Sequence, residues 1–562
     1  MKANETALFK LLQGQTLFII PMFQRQYTWG KKEWSALLQD IKDTYSEGND
    51  TQHFMGSIVT KVLDATPDDV SRFLVIDGQQ RLTTLTVLLA ALRDAFKITD
   101  SQLADKIHRL YLINEFANGE NRYKVLPTQA DRAIYYHIID GKGASGQSLL
   151  QQAYNYFANE LKAAESSSEA PNLKQLESAI SRQLGIVSIV LSSEDDEYRI
   201  FESLNAKGAR LTQADLIRNY FFMKIAGPQQ EEVYNTIWRP MEQSLEEGED
   251  DKRRGQNLEE FFRYEFIRTG DNVREGDVYQ AWKRRLDKLS LDDLLAELKI
   301  ISHHSQHYKR IIKPEVEEDK IVAAGLHWVN RWGAQTVYPF LLYLYQRRDD
   351  GKLNAKQFAA ILQIIESFLV RRAIVGVPTN TLNKIFPVLP RQLPGDADPV
   401  EGVRMALSDR GRRWPSDAEF MQSLLSYPLY KDSRPEQRKV ILERIEESYN
   451  NKEMPNLASF TIEHIMPQTL TPEWEAVLGG KAAAKEAHDN LLHTIGNLTL
   501  TRYNGELSNH PFSEMKRDVF AQSSLMMNKE IAQEGTWTAT QITTRSQRLA
   551  NRAIHIWPGP VR

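Results

Sequence analysis

The stretch Arg72-Phe73-Leu74-Val75-Ile76-Asp77-Gly78-Gln79-Gln80-Arg81, followed by Leu82, Leu85, Leu88, Leu89 and Leu92, decides how the N-terminal part of the chain is read. Arg72 to Ile76 predicts a short apolar strand, Asp77-Gly78 is a turn signal, and the leucines recur at helical spacing. A strand that turns through glycine into a helix brings backbone N–H groups, the positive end of the helix dipole and the Arg81 guanidinium to one point. That combination suits an anion such as a phosphate. Asp77 suits a Mg²⁺ ion on that phosphate, and equally an ordinary helix cap.

Working outward, Phe54 to Val59 and Ile186 to Leu191 also predict strands, the latter before a helix near Tyr198 to Leu204. Polar stretches at Gly141 to Gln147 and Glu165 to Pro171 predict loops. From Gln213 to Leu389 the pattern is almost entirely helical, and Pro390-Arg391-Gln392-Leu393-Pro394-Gly395 is the best linker candidate. Helices follow, then a strand-like Ser459 to Ile462. The expected fold class is α+β and predominantly helical, in three parts. These are an N-terminal α/β domain (1–225), a helical connecting region (226–390) and a C-terminal helical domain (391–562).

The chain has no cysteine, which excludes disulfides, thiolate zinc sites and cysteine nucleophiles and fits a cytoplasmic protein. A net charge of −4 gives no global electrostatic footprint for nucleic acid, so any DNA binding must use local basic patches. No apolar run is long enough to span a membrane, and Leu17 to Ile20 lacks the basic flank of a secretory signal. His303, His304 and His307 include an i, i+4 pair, but no carboxylate or further histidine stands at a matching interval in sequence.

The chemistry-bearing segment lies near the C-terminus. Phe460-Thr461-Ile462-Glu463-His464-Ile465-Met466-Pro467 sets an acid beside a histidine at a strand end. Ile495-Gly496-Asn497-Leu498-Thr499-Leu500, Asn504, Asn509 and Lys516 follow. Phosphodiester hydrolysis needs a base for water, a divalent cation, and oxygen or nitrogen ligands for that cation. His464 supplies the base, and Glu463 and Asn504 supply hard ligands for Mg²⁺ or Mn²⁺. Asn497 is placed to orient the base.

Glu-His-Ile-x-Pro, Trp474, Gly-Asn-Leu-Thr-Leu and the downstream Asn and Lys together resemble the HNH (His-Me finger) nuclease domain of GmrSD-type restriction enzymes. The resemblance implies a ββα-metal motif closed by a helix through Trp537, Ile542, Arg545, Leu549, Ala550 and Trp557. The gap between His464 and Asn497 is longer than in compact HNH motifs, with Lys481 to Asp489 as the apparent insertion. The last HNH position is an asparagine, for which Asn504 and Asn509 compete.

Asp-Gly-Gln-Gln-Arg is similar to the signature of that family's N-terminal, ParB-like NTP-binding domain. Its companions are Ile20 to Trp29, Phe54-Met55-Gly56-Ser57-Ile58, Phe201 to Gly208, and Leu211 to Asn219. What the resemblance implies is a nucleoside triphosphate against Asp77, Gly78, Gln79, Gln80 and Arg81. Gln24 and Arg25 lie nearby, and Asn205 and Lys207 are lesser candidates. Tyr27 and Trp29 are candidates to stack on a base, and Lys516 to contact DNA. The function implied is a modification-dependent, type IV-like endonuclease acting on double-stranded phage DNA. NTP binding would regulate Mg²⁺-dependent cleavage, and a homodimer is a candidate assembly. An NTP-switched DNA-binding regulator and an RNA-targeting nuclease are the alternatives.

Overall fold

A computed structural model describes residues 2–46, 53–64, 69–142, 146–165, 173–192, 195, 200, 211–225, 229–248, 253, 255–393 and 398–561. The chain divides into two compact units, residues 1–240 with 279–295, and residues 241–278 with 296–562.

Six strands form the sheet of the first unit: β1 (Lys2–Ala7), β2 (Thr16–Ile19), β3 (His53–Asp64), β4 (Ser71–Asp77), β5 (Val125–Leu126) and β6 (Leu184–Leu191). Their order is β1-β6-β3-β4-β2-β5. The β1–β6 and β3–β4 pairs are antiparallel, while β3–β6, β2–β4 and β2–β5 are parallel. Four helices of this unit are α1 (Lys31–Ser46), α2 (Gln79–Thr99), α3 (Gln129–Ile139) and α4 (Leu149–Glu165).

Helix α2 is the axis of the core. Leu82, Leu85, Leu88, Leu89 and Leu92 are all buried, as their spacing predicts. Each contributes up to roughly 1.5–3 kcal/mol of transfer free energy. Thr84 and Thr86 are buried too, and their hydroxyls are satisfied. Thr84 Oγ1 donates to the Gln80 carbonyl at 2.7 Å, and Thr86 Oγ1 accepts from Tyr135 at 2.9 Å. Further along, α5 (Gln213–Lys224) starts at a capping box of Thr212 and Asp215. The helix predicted near Tyr198 to Leu204, the motif Phe201 to Gly208, and with them Asn205 and Lys207, fall almost entirely outside the described residues.

Among the described residues, the second unit is helical apart from one antiparallel pair, β7 (Thr461–His464) with β8 (Leu498–Thr501), in which Glu463 faces Thr499 and His464 faces Leu498. Seven helices matter below: α6 (Leu291–Ile312), α7 (Lys320–Trp332), α8 (Tyr338–Asp349), α9 (Ala355–Ile374), α10 (Pro435–Glu447), α11 (Lys481–Leu491) and α12 (Ala539–Ile556). The expected boundary at 390 is not where the structure divides. Buried polar groups of α9 find their partners beyond it. Arg371 Nε donates to the Trp557 carbonyl at 2.7 Å, and Glu366 accepts from Trp557 Nε1 at 2.9 Å and from Arg444 Nη2 at 2.6 Å. A proline- and glycine-containing stretch marks a turn in the chain, and says nothing about which helices share a core.

Candidate functional site

Two clusters carry the chemistry that the sequence predicts, one in each unit. In the second unit it gathers at the end of β7. The following residues, Ile465 and Met466, are fully buried and pinned by Asn497. The Asn497 carbonyl accepts from Ile465 N at 2.9 Å, and its side-chain Oδ1 accepts from Met466 N at 2.7 Å and from Trp537 Nε1 at 3.2 Å. Its Nδ2 donates to the Met466 and Leu492 carbonyls. Asn497 is itself fully buried, and its hydrogen bonds fix the backbone of the segment that follows Glu463 and His464.

The turn that bears Asn497 is held from behind by α12. Buried Arg545 donates from Nη1 to the carbonyls of Ile495, Gly496 and Leu498 at 3.1, 2.9 and 2.8 Å. Burial lowers its pKa to about 10, below the ordinary arginine range. A Cβ on Gly496 would lie 2.2 Å from the Ile542 carbonyl oxygen and 2.3 Å from Ser546 Oγ. No larger residue fits between this turn and α12.

Glu463 is 8% exposed, and its Oε1 accepts from Lys516 Nζ at 2.9 Å. The same ammonium donates to the carbonyls of His464 (3.2 Å) and Ile465 (3.1 Å). Lys516 is fully buried, which corrects its expected role as a DNA contact. It is the internal counter-charge of Glu463 and a clamp on the end of β7. Burial raises the Glu463 carboxyl pKa and lowers that of the Lys516 ammonium, while each partner opposes the other's shift.

His464 is buried and sits in a small aromatic nest. Its Nε2 lies 3.2 Å from His493 Nδ1. The Tyr430 ring meets it edge-on with centroids 4.4 Å apart, and stacks on His493 at 5.7 Å. Arg438 lies 3.9 Å over that tyrosine ring. Burial, then the positive charge of His493, Lys516, Arg438 and His488, lowers the His464 pKa to about 3. The imidazole is therefore neutral at neutral pH and keeps a lone pair for a proton.

Because the unfolded chain protonates this group near pH 6.5, it binds more protons than the folded chain at every pH between about 6.5 and 3. The His464 contribution to stability is fully present above pH 6.5 and is lost as pH falls through that window, at up to ~1.4 kcal/mol per pH unit. In metal-free buffer, urea unfolding from pH 7 to pH 4 should show this slope, and His464→Gln should flatten it. An unchanged slope in the variant would assign the acid sensitivity elsewhere.

Asn504 follows β8. Its Nδ2 donates to Thr461 Oγ1 at 2.9 Å and to the Ile462 carbonyl at 3.2 Å. Its Oδ1 is buried without a hydrogen-bond partner, an acceptor left over beside the Glu463 strand. Asn509, the other candidate, is exposed. A carboxylate and an orphaned amide oxygen form a donor set that fits a hard divalent cation.

In the first unit, Gly78 joins β4 to α2 with φ of 93°, a left-handed conformation open to glycine. A Cβ there would also lie 3.0 Å from Ile58 Cγ1 and from the Ser57 carbonyl oxygen. Several predicted residues are spent on building the turn. Gln24 Nε2 donates to the carbonyls of Val75 (3.0 Å) and Ile76 (3.2 Å). Gln80 bridges Thr28 N at 2.9 Å and the Gln26 carbonyl at 3.1 Å. Tyr27, expected as a base-stacking residue, is buried instead. Its hydroxyl lies 2.7 Å from Thr84 Oγ1 and accepts from Trp34 Nε1 at 2.8 Å. Burial first of all raises its pKa to about 12. Trp29 is only partly buried.

What remains is positive and partly unsatisfied. Arg81 Nη1 donates to the Ser57 carbonyl at 2.5 Å, and Arg25 Nε and Gln79 Oε1 are buried with no partner. With the first-turn amides of α2, the Arg81 guanidinium lies at this turn, and these donors fit a phosphate. Asp77 ends β4 immediately before it.

Sequence reasoning missed Tyr430, the Lys516–Glu463 pair and the Arg545 clamp's target. Only the tail motif pointed toward Arg545. Among the described residues, no helix is long and apolar enough to cross a membrane.

Comparison with known proteins gives two matches. The family model described as GmrSD restriction endonuclease, N-terminal domain, matches residues 8–222. The model described as GmrSD restriction endonucleases, C-terminal domain, matches residues 414–552. A search of curated proteins finds no match. The two matches hold both clusters, in the expected order, and the chain belongs to the GmrSD-type restriction endonuclease family.

Proposed function

We propose that this restriction endonuclease cuts modified DNA at an HNH-type site centred on Glu463 and His464, under the control of a nucleoside triphosphate held at Asp77 to Arg81. The observation that carries the cutting half is the juxtaposition at β7. A neutral, buried histidine neighbours a carboxylate held by a fully buried lysine, and an orphaned amide oxygen lies against the same strand.

Glu463 and Asn504 would hold Mg²⁺ or Mn²⁺, which when bound stabilises charge on the phosphate and acidifies water. The remaining work falls to the chain. With His464 Nε2–H donating to His493 Nδ1, the lone pair of His464 is on Nδ1, the atom that takes the proton from attacking water. The water oxygen bonds to phosphorus, the P–O bond to the sugar breaks, and the departing sugar oxygen takes a proton from solvent water. Asn497 and Arg545 keep the base from swinging away, by fixing backbone on both sides of the strand pair.

For the first unit, the buried and unpartnered Arg25 Nε supports phosphate binding, with Arg81 and the α2 amides as the other donors. An uncontrolled nuclease would attack its host, so NTP and nuclease states must be coupled, by an expected 1–3 kcal/mol or so. The test is digestion of plain and modified phage DNA with each NTP, with and without Mg²⁺. Cleavage is expected on modified DNA, only with Mg²⁺, and at an NTP-dependent rate. Equal cutting of plain DNA under every condition would remove the sensing half of the reading. An Arg25→Ala chain should lose the NTP dependence while keeping Mg²⁺-dependent cutting.

A further inference from the structure

One histidine cluster in the helical part of the second unit is used by neither site. His303 and His307 stand one turn apart on α6, and the carboxylate missing at any matching interval in the sequence arrives from another helix: Asp349, the last residue of α8. His303 Nε2 and His307 Nε2 each lie 2.7 Å from the same oxygen, Asp349 Oδ2. The three ligand atoms all fall within 4.8 Å of one another.

We propose that His303, His307 and Asp349 form a binding site for a borderline divalent transition metal ion of the Zn²⁺ class, separate from the Mg²⁺-type site at Glu463. Four features support this. Two imidazole nitrogens and one carboxylate oxygen are the donor set such ions select, and Mg²⁺ prefers oxygen alone. Bonds of about 2.0–2.2 Å put neighbouring ligand atoms roughly 3–4 Å apart, so the present spacing needs only a small opening.

The ligand atoms already converge, because one carboxylate oxygen meets both imidazole nitrogens. Finally, the scaffold is stiff and its field suits a cation. His307 stacks face to face on Tyr345 with centroids 4.8 Å apart and planes 9° apart. The Tyr345 hydroxyl is tied to Glu317 Oε2 at 2.5 Å. Asp349 ends α8, where the helix dipole is negative and a bound cation is stabilised. The exposed His303 and Asp349 leave one side open, so three protein ligands and a water complete the set. The ion would tie α6 to α8.

The test uses the full chain, stripped with chelator and titrated with Zn²⁺ alone and Co²⁺ alone. Wild type is compared with H303A, with D349N, and with H493A as a control for the other histidine pair. His303 and Asp349 are at the surface, so both variants should keep the metal-free melting temperature. The expected result is one equivalent of Co²⁺ with visible absorption of a nitrogen–oxygen site, kept in H493A and weakened at least tenfold in H303A and D349N. Zn²⁺ should raise the Tm of wild type and not that of these two variants, and excess Mg²⁺ should not displace it. Binding in H303A and D349N equal to wild type, or no binding by wild type at micromolar metal, would overturn the proposal and leave a hydrogen-bonded helix clasp.

Discussion

Replacing His464 by alanine should lower Mg²⁺-dependent DNA cleavage by about 10²- to 10⁴-fold, the usual worth of a positioned general base. The fold should survive the change. The ring makes one hydrogen bond, at 3.2 Å to His493, and is neutral at neutral pH because burial drives its pKa to about 3. No ion pair is broken, and the segment it sits on is held by Asn497 and Lys516 through backbone. Melting temperature and DNA affinity measured alongside the rate separate lost chemistry from lost structure. His493→Ala removes the hydrogen bond that orients the base along with the ring that stacks on Tyr430, and should cost about tenfold, the equivalent of one ordinary hydrogen bond. Cleavage that survives His464→Ala, or an equal loss in both variants, would take the base role from His464.

Local pattern carried the elements well where one element explains itself. The leucines of α2 lie on a helix buried all round, and β3, β4 and β6 are apolar enough to be seen directly. Strands β1, β2 and β5 escaped. Lys2–Ala7 is an edge strand with four of its six residues exposed, and Val125–Leu126 has only two residues, so neither shows a period. The candidate sites were legible as motifs and illegible as contacts. Glu463 and His464 are neighbours in sequence, but Lys516 reaches Glu463 from a separate helical segment, and Tyr430 arrives from upstream of α10. Asp349 likewise reaches the α6 histidines from α8. Periodicity describes one element at a time, and a buried charge reveals its purpose only once its partner is in place. That is why Lys516 reads as a DNA-binding lysine in the sequence and as an internal counter-ion in the fold.

Lys516→Met therefore has a different expected effect from the loss of a phosphate contact. A lysine on DNA, once removed, would leave stability unchanged and reduce the salt dependence of binding by about one ion. Removing the buried ammonium leaves the Glu463 carboxylate without its counter-charge and takes a donor from the His464 and Ile465 carbonyls. Breaking such a pair costs roughly 3–5 kcal/mol, a large fraction of the stability of an ordinary domain. Methionine keeps the length of the side chain, so little of the loss comes from a cavity. The Glu463→Gln and Lys516→Met double variant removes both charges, and should recover much of the stability that Lys516→Met alone loses, because the penalty belongs to the unpaired carboxylate. Denaturant unfolding of the two single variants and the double variant measures this coupling. A Lys516→Met chain within about 1 kcal/mol of wild type, with a reduced salt slope for DNA binding, would instead place the ammonium on DNA and the carboxylate in solvent.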